Sequence, residues 1–133
     1  MSDHRKRVLV CGSRDWGDGS ASRHRVLKDR LSEQDVLSAI VIHGNAKGAD
    51  RMAEAVCVEN NVHTAKVEPR WQGFGKEAGL LRNLAMLGLE PDLVIAFSTG
   101  SRGTQFTIDQ ARKRGIPVEI HGTELRQKER EES

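Results

Sequence analysis

Short apolar runs alternate along this chain with longer segments in which apolar residues recur every three or four positions. The short runs predict buried parallel strands and the periodic segments predict helices that bury one face. The predicted strands span residues 8–11, 39–42, 62–67, 93–97 and 117–120, and the predicted helices span residues 20–33, 49–60, 75–89 and 105–113.

Strands that alternate with helices are typical of βαβ units. The pattern therefore predicts an α/β fold, a Rossmann-like, doubly wound, mainly parallel five-stranded sheet with helices on both faces. We expect residues 7–122 to form this domain. Residues 1–6 are expected to be an N-terminal arm, and residues 123–133, which are rich in both charge signs, a solvated C-terminal tail.

The amino-acid composition argues against several classes of binding partner. The 133-residue chain has a formal net charge of +2 and only five aromatic residues, two Trp and three Phe, which argues against a nucleic-acid partner. The two cysteines lack metal-site spacing, and no apolar run is long enough to span a membrane. We therefore expect a cytoplasmic protein without a metal, a cofactor or a membrane partner.

The loops that follow three predicted strands carry the candidate chemistry: residues 12–16, 43–51 and 100–104. In an open parallel sheet, ligands bind beyond the carboxyl ends of the strands. Glycines allow close approach of a ligand to the backbone, and a helix N-terminus attracts anions. The loops also supply basic side chains that suit phosphate oxygens, namely Arg14, Lys47, Arg51 and Arg102.

We expect ligand contacts from small, polar and basic residues of these loops and of the helix predicted over residues 75–89. They are Gly12, Ser13, Arg14, Gly44, Asn45, Lys47, Gly48, Asp50, Arg82, Asn83, Gly100, Ser101, Arg102, Gly103 and Thr104. Neither G-x-G-x-x-G nor G-x-x-x-x-G-K-[ST] occurs, so neither a classical dinucleotide enzyme nor a P-loop NTPase is indicated.

Several candidates have two interpretations. His43 is a general base or a structural donor to its loop, and Asp50 binds a ribose hydroxyl or stabilises the start of its helix. Trp16 and Trp71 stack on a base or cap the edge of the core. If the protein is an enzyme, the candidate catalytic residues are Arg82, Asp15, His43 and Asp50.

Four segments resemble the YspA/YpsA-like branch of the SLOG superfamily. They are RVLVCGSRDW at residues 7–16, VIHGNAKGADRMAE at residues 41–54, Arg82-Asn83 followed by Met86, and PDLVIAFSTGSRGT at residues 91–104. The superfamily includes the Lonely Guy phosphoribohydrolases and DNA-processing protein A. The resemblance implies a Rossmann-like domain that binds a nucleotide or nucleotide-derived small molecule through the three loops.

One departure from the superfamily pattern bears on catalysis. The Lonely Guy motif PGGxGTxxE, aligned with residues 99–107, places Ser101 at its second glycine and Thr107 at the glutamate that serves glycosidic cleavage. A threonine cannot act as a carboxylate acid or base. This departure favours a sensor or sequestering protein over an enzyme. The alternatives are a nucleotide N-glycosidic hydrolase of the phosphoribohydrolase type and a single-stranded DNA-binding module.

Oligomerisation is expected through the helix predicted over residues 75–89. Its apolar residues exceed one narrow stripe, and they are Leu80, Leu81, Leu84, Leu87 and Leu89. Superfamily members commonly pair through helices beside the site. We therefore expect a homodimer or a higher homo-oligomer.

Overall fold

A computed structural model describes residues 5–16, 21–33, 38–69, 77–98 and 100–122. The strands are β1 (Arg7–Gly12), β2 (Ile40–His43), β3 (Thr64–Lys66), β4 (Leu93–Phe97) and β5 (Val118–His121). The helices are α1 (Ala21–Leu31), α2 (Ala49–Glu59), α3 (Ala78–Leu87) and α4 (Arg102–Lys113). No helix within these ranges is both long enough and apolar enough to cross a membrane.

The strands form one sheet in the order β3-β2-β1-β4-β5, and every neighbouring pair is parallel. The predicted doubly wound α/β fold is therefore confirmed. The chain runs from β1 outward to β3 and then crosses back to β4 on the other side of β1. The boundary between β1 and β4 is thus the point at which the strand order reverses, where open α/β sheets bind their ligands.

Helices cover both faces of the sheet, and β1 is buried on both sides. Val8 and Val10 pack in a core with residues of α1 and α2, whereas Leu9 and Cys11 pack on the opposite face with residues of α3 and α4. Successive side chains of a strand point to opposite faces. Burial on both faces explains why β1 is a continuous apolar run rather than an alternating one.

The boundaries differ from the predictions mainly at α4. This helix begins at Arg102, three residues before the predicted start, and Ser101 precedes it in an extended conformation. The first turn carries Arg102, Gly103 and Thr104, which interrupt the apolar spacing. Most of the predicted loop of residues 100–104 is therefore the first turn of a helix.

Some predictions fall outside the described residues. These are the starts of the predicted helices over residues 20–33 and 75–89, Trp71, Thr99, most of the N-terminal arm and the C-terminal tail.

Candidate functional site

A cavity of about 650 Å³ lies at the carboxyl ends of β1 and β4, and we call it the larger cavity. Its walls come from the end of β1, the loop before α2, one face of α3 and the start of α4. The lining residues are Cys11, Gly12, Arg14, Asp15, Ala46, Asp50, Gly79, Leu80, Arg82, Asn83, Met86, Gly100, Ser101, Gly103, Thr104 and Thr107. The three predicted loops thus meet at the reversal point of the sheet.

A second cavity of about 400 Å³, here the smaller cavity, shares Arg14, Ala46 and Arg82 with the larger one. Its other lining residues are Gly44, Asn45, Lys47, Arg51, Glu68 and Pro69. The two cavities together include every residue predicted to contact ligand except Ser13, Gly48 and Arg102.

The end of β1 is tied closely to its neighbours. A Cβ on Gly12 would overlap Ala49 and lie 2.5 Å from the carbonyl oxygen of Phe97, so a larger residue does not fit there. The buried Ser13 donates its backbone N–H to the same oxygen at 2.9 Å and its hydroxyl to Ser101 Oγ at 3.1 Å. Ser13 therefore joins the β1 loop to the start of α4 from behind the cavity wall.

Gly48 precedes α2 with a φ of +91°, in the left-handed region that favours glycine. A Cβ there would overlap the carbonyl oxygens of Ser13 and Arg14. The loop before α2 is consequently packed directly on the loop after β1. Gly48 shapes the site without lining it.

Asp50 orders the β2–α2 loop from inside. Its Oδ2 accepts hydrogen bonds from the backbone N–H groups of Gly44 at 2.9 Å and Ala46 at 3.4 Å. Burial raises the pKa of Asp50, although these hydrogen bonds and the charge of the nearby Arg82 act in the opposite direction. The carboxylate is therefore a structural acceptor in this loop, and Asp50 also lines the larger cavity.

Arg82 lies between the two cavities. Its Nη1 donates to the carbonyl oxygen of Gly44 at 2.7 Å, and its Nε donates to Asn83 Oδ1 at 2.7 Å. Burial lowers the pKa of Arg82, and the negative charge of Asp50 opposes that shift. A Cβ on Gly44 would overlap the Arg82 guanidinium, so this glycine allows the arginine to cross the loop. The side chain is held in a fixed position facing both cavities.

The start of α4 offers open backbone to the larger cavity. Gly100 has a φ of +102°, and its N–H donates to Ser98 Oγ at 2.9 Å. Ser101 Oγ donates to Thr104 Oγ1 at 2.7 Å. A Cβ on Gly103 would meet no atom of the described chain within 4 Å. An anion can therefore approach the helix N-terminus at Gly103, where the unpaired amides and the helix dipole favour negative charge.

Thr107 lies one turn further along α4 and also lines the larger cavity. Its hydroxyl donates to the carbonyl oxygen of Gly103 at 3.1 Å. The position aligned with the Lonely Guy glutamate thus reaches the cavity wall, but it carries a hydroxyl that is bonded back to its own helix.

His43 is fully buried and lines neither cavity. Its Nδ1 accepts the backbone N–H of Asn45 at 3.0 Å, so the ring proton lies on Nε2, which donates to Glu54 Oε1 at 2.7 Å. The hydrogen bond from His43 lowers the pKa of Glu54. Nδ1 holds the β2–α2 loop and Nε2 contacts helix α2, so both ring nitrogens have structural partners, which favours the structural interpretation of His43 over the general base.

Two further candidates lie away from the cavities. Trp16 is 1% exposed, its ring lies 5.5 Å from that of Phe97, and its Nε1 donates to the carbonyl oxygen of Arg23 at 3.1 Å. It packs in the core rather than facing a base. Arg102 is exposed and lines neither cavity in the described part of the chain, because its helical position turns it outward.

Sequence reasoning missed Cys11, Gly79, Leu80 and Met86, which form a largely apolar wall. Burial, reinforced by the charge of Asp50, raises the pKa of Cys11, so its thiol is neutral. The helical spacing of Gly79, Asn83 and Met86 could have indicated a shared face. Among the described residues, no group of three or more His, Cys, Asp or Glu side chains is arranged to hold a metal ion.

Comparison with known sequences gives two matches. The profile of the YspA, cpYpsA-related SLOG family matches residues 6–74. The Gene 61 protein of Mycobacterium phage D29 is 36% identical over 119 residues, which cover 85% of this chain and 94% of that protein.

Solved structures share the fold at low sequence identity. DNA processing protein A from Streptococcus pneumoniae has a TM-score of 0.73 at 19% identity, over 87% of this chain and 50% of that one, so this chain spans about half its length. The same protein from Helicobacter pylori has a TM-score of 0.66 at 18% identity, over 89% of this chain and 66% of that chain. The molybdenum cofactor carrier protein of Chlamydomonas reinhardtii has a TM-score of 0.63 at 18% identity, over 87% of this chain and 76% of that chain.

Proposed function

Because the chain belongs to the YspA, cpYpsA-related SLOG family, we propose that it binds a nucleotide or nucleotide-derived small molecule in the larger cavity, as a sensor or sequestering protein. The observation that carries this proposal is the convergence of three strand-end loops on one cavity at the reversal point of the sheet. The open N-terminus of α4, Arg14 and Arg82 all line this cavity.

The chemistry of the walls suits the two halves of a nucleotide. The N-terminal turn of α4 and the basic side chains supply donors for phosphate oxygens. The wall formed by Cys11, Leu80 and Met86 supplies apolar surface for a base or a ribose face. A volume of about 650 Å³ lies in the range typical of small-molecule sites, about 300–1,000 Å³.

Binding is favoured over hydrolysis because no carboxylate stands at the Thr107 position. Asp50 and Asp15 are the described carboxylates that line the larger cavity. Asp50 already accepts two backbone hydrogen bonds in its loop, which leaves it poorly suited to transfer a proton. The alternative is that these residues hydrolyse the N-glycosidic bond of a nucleotide. The experiment described below distinguishes hydrolysis from binding.

Single-stranded DNA belongs in the same test. The structure of DNA processing protein A from Helicobacter pylori concerns the single-stranded DNA binding mode of that protein, and it shares the present fold. The low net charge and few aromatic residues of this chain argue against such a partner, but the structural relatives lend no support to excluding it.

We also propose that the protein is a homodimer that pairs through α3 and the turn after it. Leu80, Leu81 and Leu89 are 41%, 39% and 41% exposed, which leaves an apolar surface beside the larger cavity. Light scattering at micromolar concentration should give a dimer mass, and a monomer mass would overturn this assignment.

The test of the proposed function is a thermal-shift screen followed by chromatography. The panel contains nucleoside monophosphates, cyclic nucleotides, NAD-derived molecules and a single-stranded oligonucleotide. We expect a nucleotide to raise the melting temperature and to be recovered intact. Stabilisation by DNA alone, or by no member of the panel, would refute the proposal. Release of free base would favour the hydrolase alternative.

A further inference from the structure

We propose that the smaller cavity is a second anion site, so that the ligand is a nucleotide with two phosphoryl groups separated by its sugar. This inference rests on the proposed function and specifies its ligand class. One phosphoryl group would lie at the N-terminus of α4, in the larger cavity. The other would lie against Lys47 and Arg51, in the smaller one.

The charged side chains that line the smaller cavity are mostly positive. Four basic side chains line it within the described part of the chain, Arg14, Lys47, Arg51 and Arg82, against the single carboxylate of Glu68. Glu68 accepts a hydrogen bond from Asn45 Nδ2 at 3.0 Å. A concave surface with surplus positive charge raises the local concentration of anions.

The cations of this cavity are not neutralised by ion pairs in the described chain. No described carboxylate oxygen lies within 4.0 Å of a charged nitrogen of Arg14, Lys47 or Arg51. Arg51 instead donates from Nε to the carbonyl oxygen of Asn45 at 3.3 Å, which holds its side chain over the β2–α2 loop. These side chains are therefore positioned to bind an external anion.

The two cavities adjoin and carry separate groups that can bind anions. They share Arg14, Ala46 and Arg82, and Arg82 is anchored between them on Gly44. The amides of α4 belong to the larger cavity alone, and Lys47 and Arg51 to the smaller one alone. We assign one phosphoryl group to each set and the ribose to the space between them.

The experiment compares nucleotides that differ in the number and in the spacing of their phosphoryl groups. Isothermal titration at constant salt measures the 5′-monophosphate, 5′-diphosphate and 3′,5′-bisphosphate of each of the four common nucleosides. We expect the bisphosphate of the preferred base to bind about tenfold more tightly than its monophosphate. The 5′-diphosphate, whose phosphoryl groups are adjacent, should gain less.

A double variant, K47A/R51A, assigns the gain to the smaller cavity. It should abolish the advantage of the bisphosphate by weakening bisphosphate binding about tenfold more than monophosphate binding. The matched control is R112A/K113A, which removes the same charge from exposed positions in the last turn of α4. This control should keep the advantage.

Two outcomes would overturn the inference while leaving the proposed function intact. In one, the bisphosphates bind no more tightly than the diphosphates. In the other, K47A/R51A weakens monophosphate and bisphosphate binding by the same factor, which would reflect long-range charge alone. If none of the twelve nucleotides binds, the inference fails, and the wider thermal-shift panel decides separately whether the proposed function is also wrong.

Discussion

Gly103 offers a substitution that should separate ligand binding from stability. It lies in the first turn of α4, and a Cβ there would meet no atom of the described chain within 4 Å. Replacing a helical glycine with alanine gains up to about 1 kcal/mol. Gly103→Ala and Gly103→Val should therefore leave the unliganded protein as stable as the wild type, or raise its Tm by up to about 3 °C.

The same substitutions should impair binding because the added methyl groups enter the larger cavity. They would hold a phosphate away from the amides of the first turn of α4. A hydrogen bond to a charged group contributes about 1.5–3 kcal/mol. Loss of one such bond should weaken nucleotide affinity about 10- to 100-fold in Gly103→Val, with a smaller loss in Gly103→Ala.

Two measurements check this prediction. Calorimetric melting without ligand gives the stability, and isothermal titration with the best-bound nucleotide gives the affinity. Unchanged affinity in Gly103→Val would mean that ligand does not approach this turn. A marked fall in the unliganded Tm would mean that the space around Gly103 is not open.

Three further predictions concern stability and binding, and a fourth concerns catalysis. Gly48→Ala should destabilise the protein by about 2 kcal/mol or more in urea unfolding, because its positive φ alone costs an L-residue about 1–2 kcal/mol and its Cβ would also overlap two carbonyl oxygens; equal stability would contradict this packing. Burial raises the pKa of Asp50 above its ordinary value of 3.8, so the folded state retains the proton longer than the unfolded state and loses stability as pH rises above that value. The stability of Asp50→Asn relative to the wild type should accordingly increase with pH above 4, and urea unfolding across the pH range would reveal a flat difference if burial does not penalise the charge. Arg14→Ala should weaken nucleotide binding more than Arg102→Ala does, since only Arg14 lines the cavities; titrations that give the reverse order would place the ligand elsewhere. The wild-type protein should release no free base from nucleotides at about 1 per second or faster, and chromatography that detects such turnover would favour the hydrolase alternative.

The fold could be predicted from the sequence because its strands are buried on both faces. A parallel strand covered by helices on each side must be apolar at every position, and β4 was predicted at its observed bounds for that reason. The start of α4 could not be predicted from the apolar pattern of the sequence. Its first turn faces a cavity at Gly103 and Thr104 and solvent at Arg102, so these residues carry no apolar periodicity.

The candidate site was only partly predictable. Loops at strand ends are visible in the sequence, but the wall from α3 depends on where the chain crosses the sheet between β3 and β4. Trp16 and His43 show a second limit. Local sequence does not reveal that Phe97 lies beside Trp16 or that Glu54 pairs with His43, and these contacts explain why both residues are buried.

The most direct test of nucleotide binding at the larger cavity is an amide chemical-shift titration of the ¹⁵N-labelled protein with the nucleotide that gives the largest thermal shift. Saturable shifts should concentrate at Gly12, Ala46, Gly103 and Thr104, which line the larger cavity. The same titration of Gly103→Val should give much weaker shifts at these amides. Absence of saturable shifts, or shifts confined to the edge strands β3 and β5, would contradict the assignment of this cavity as the binding site.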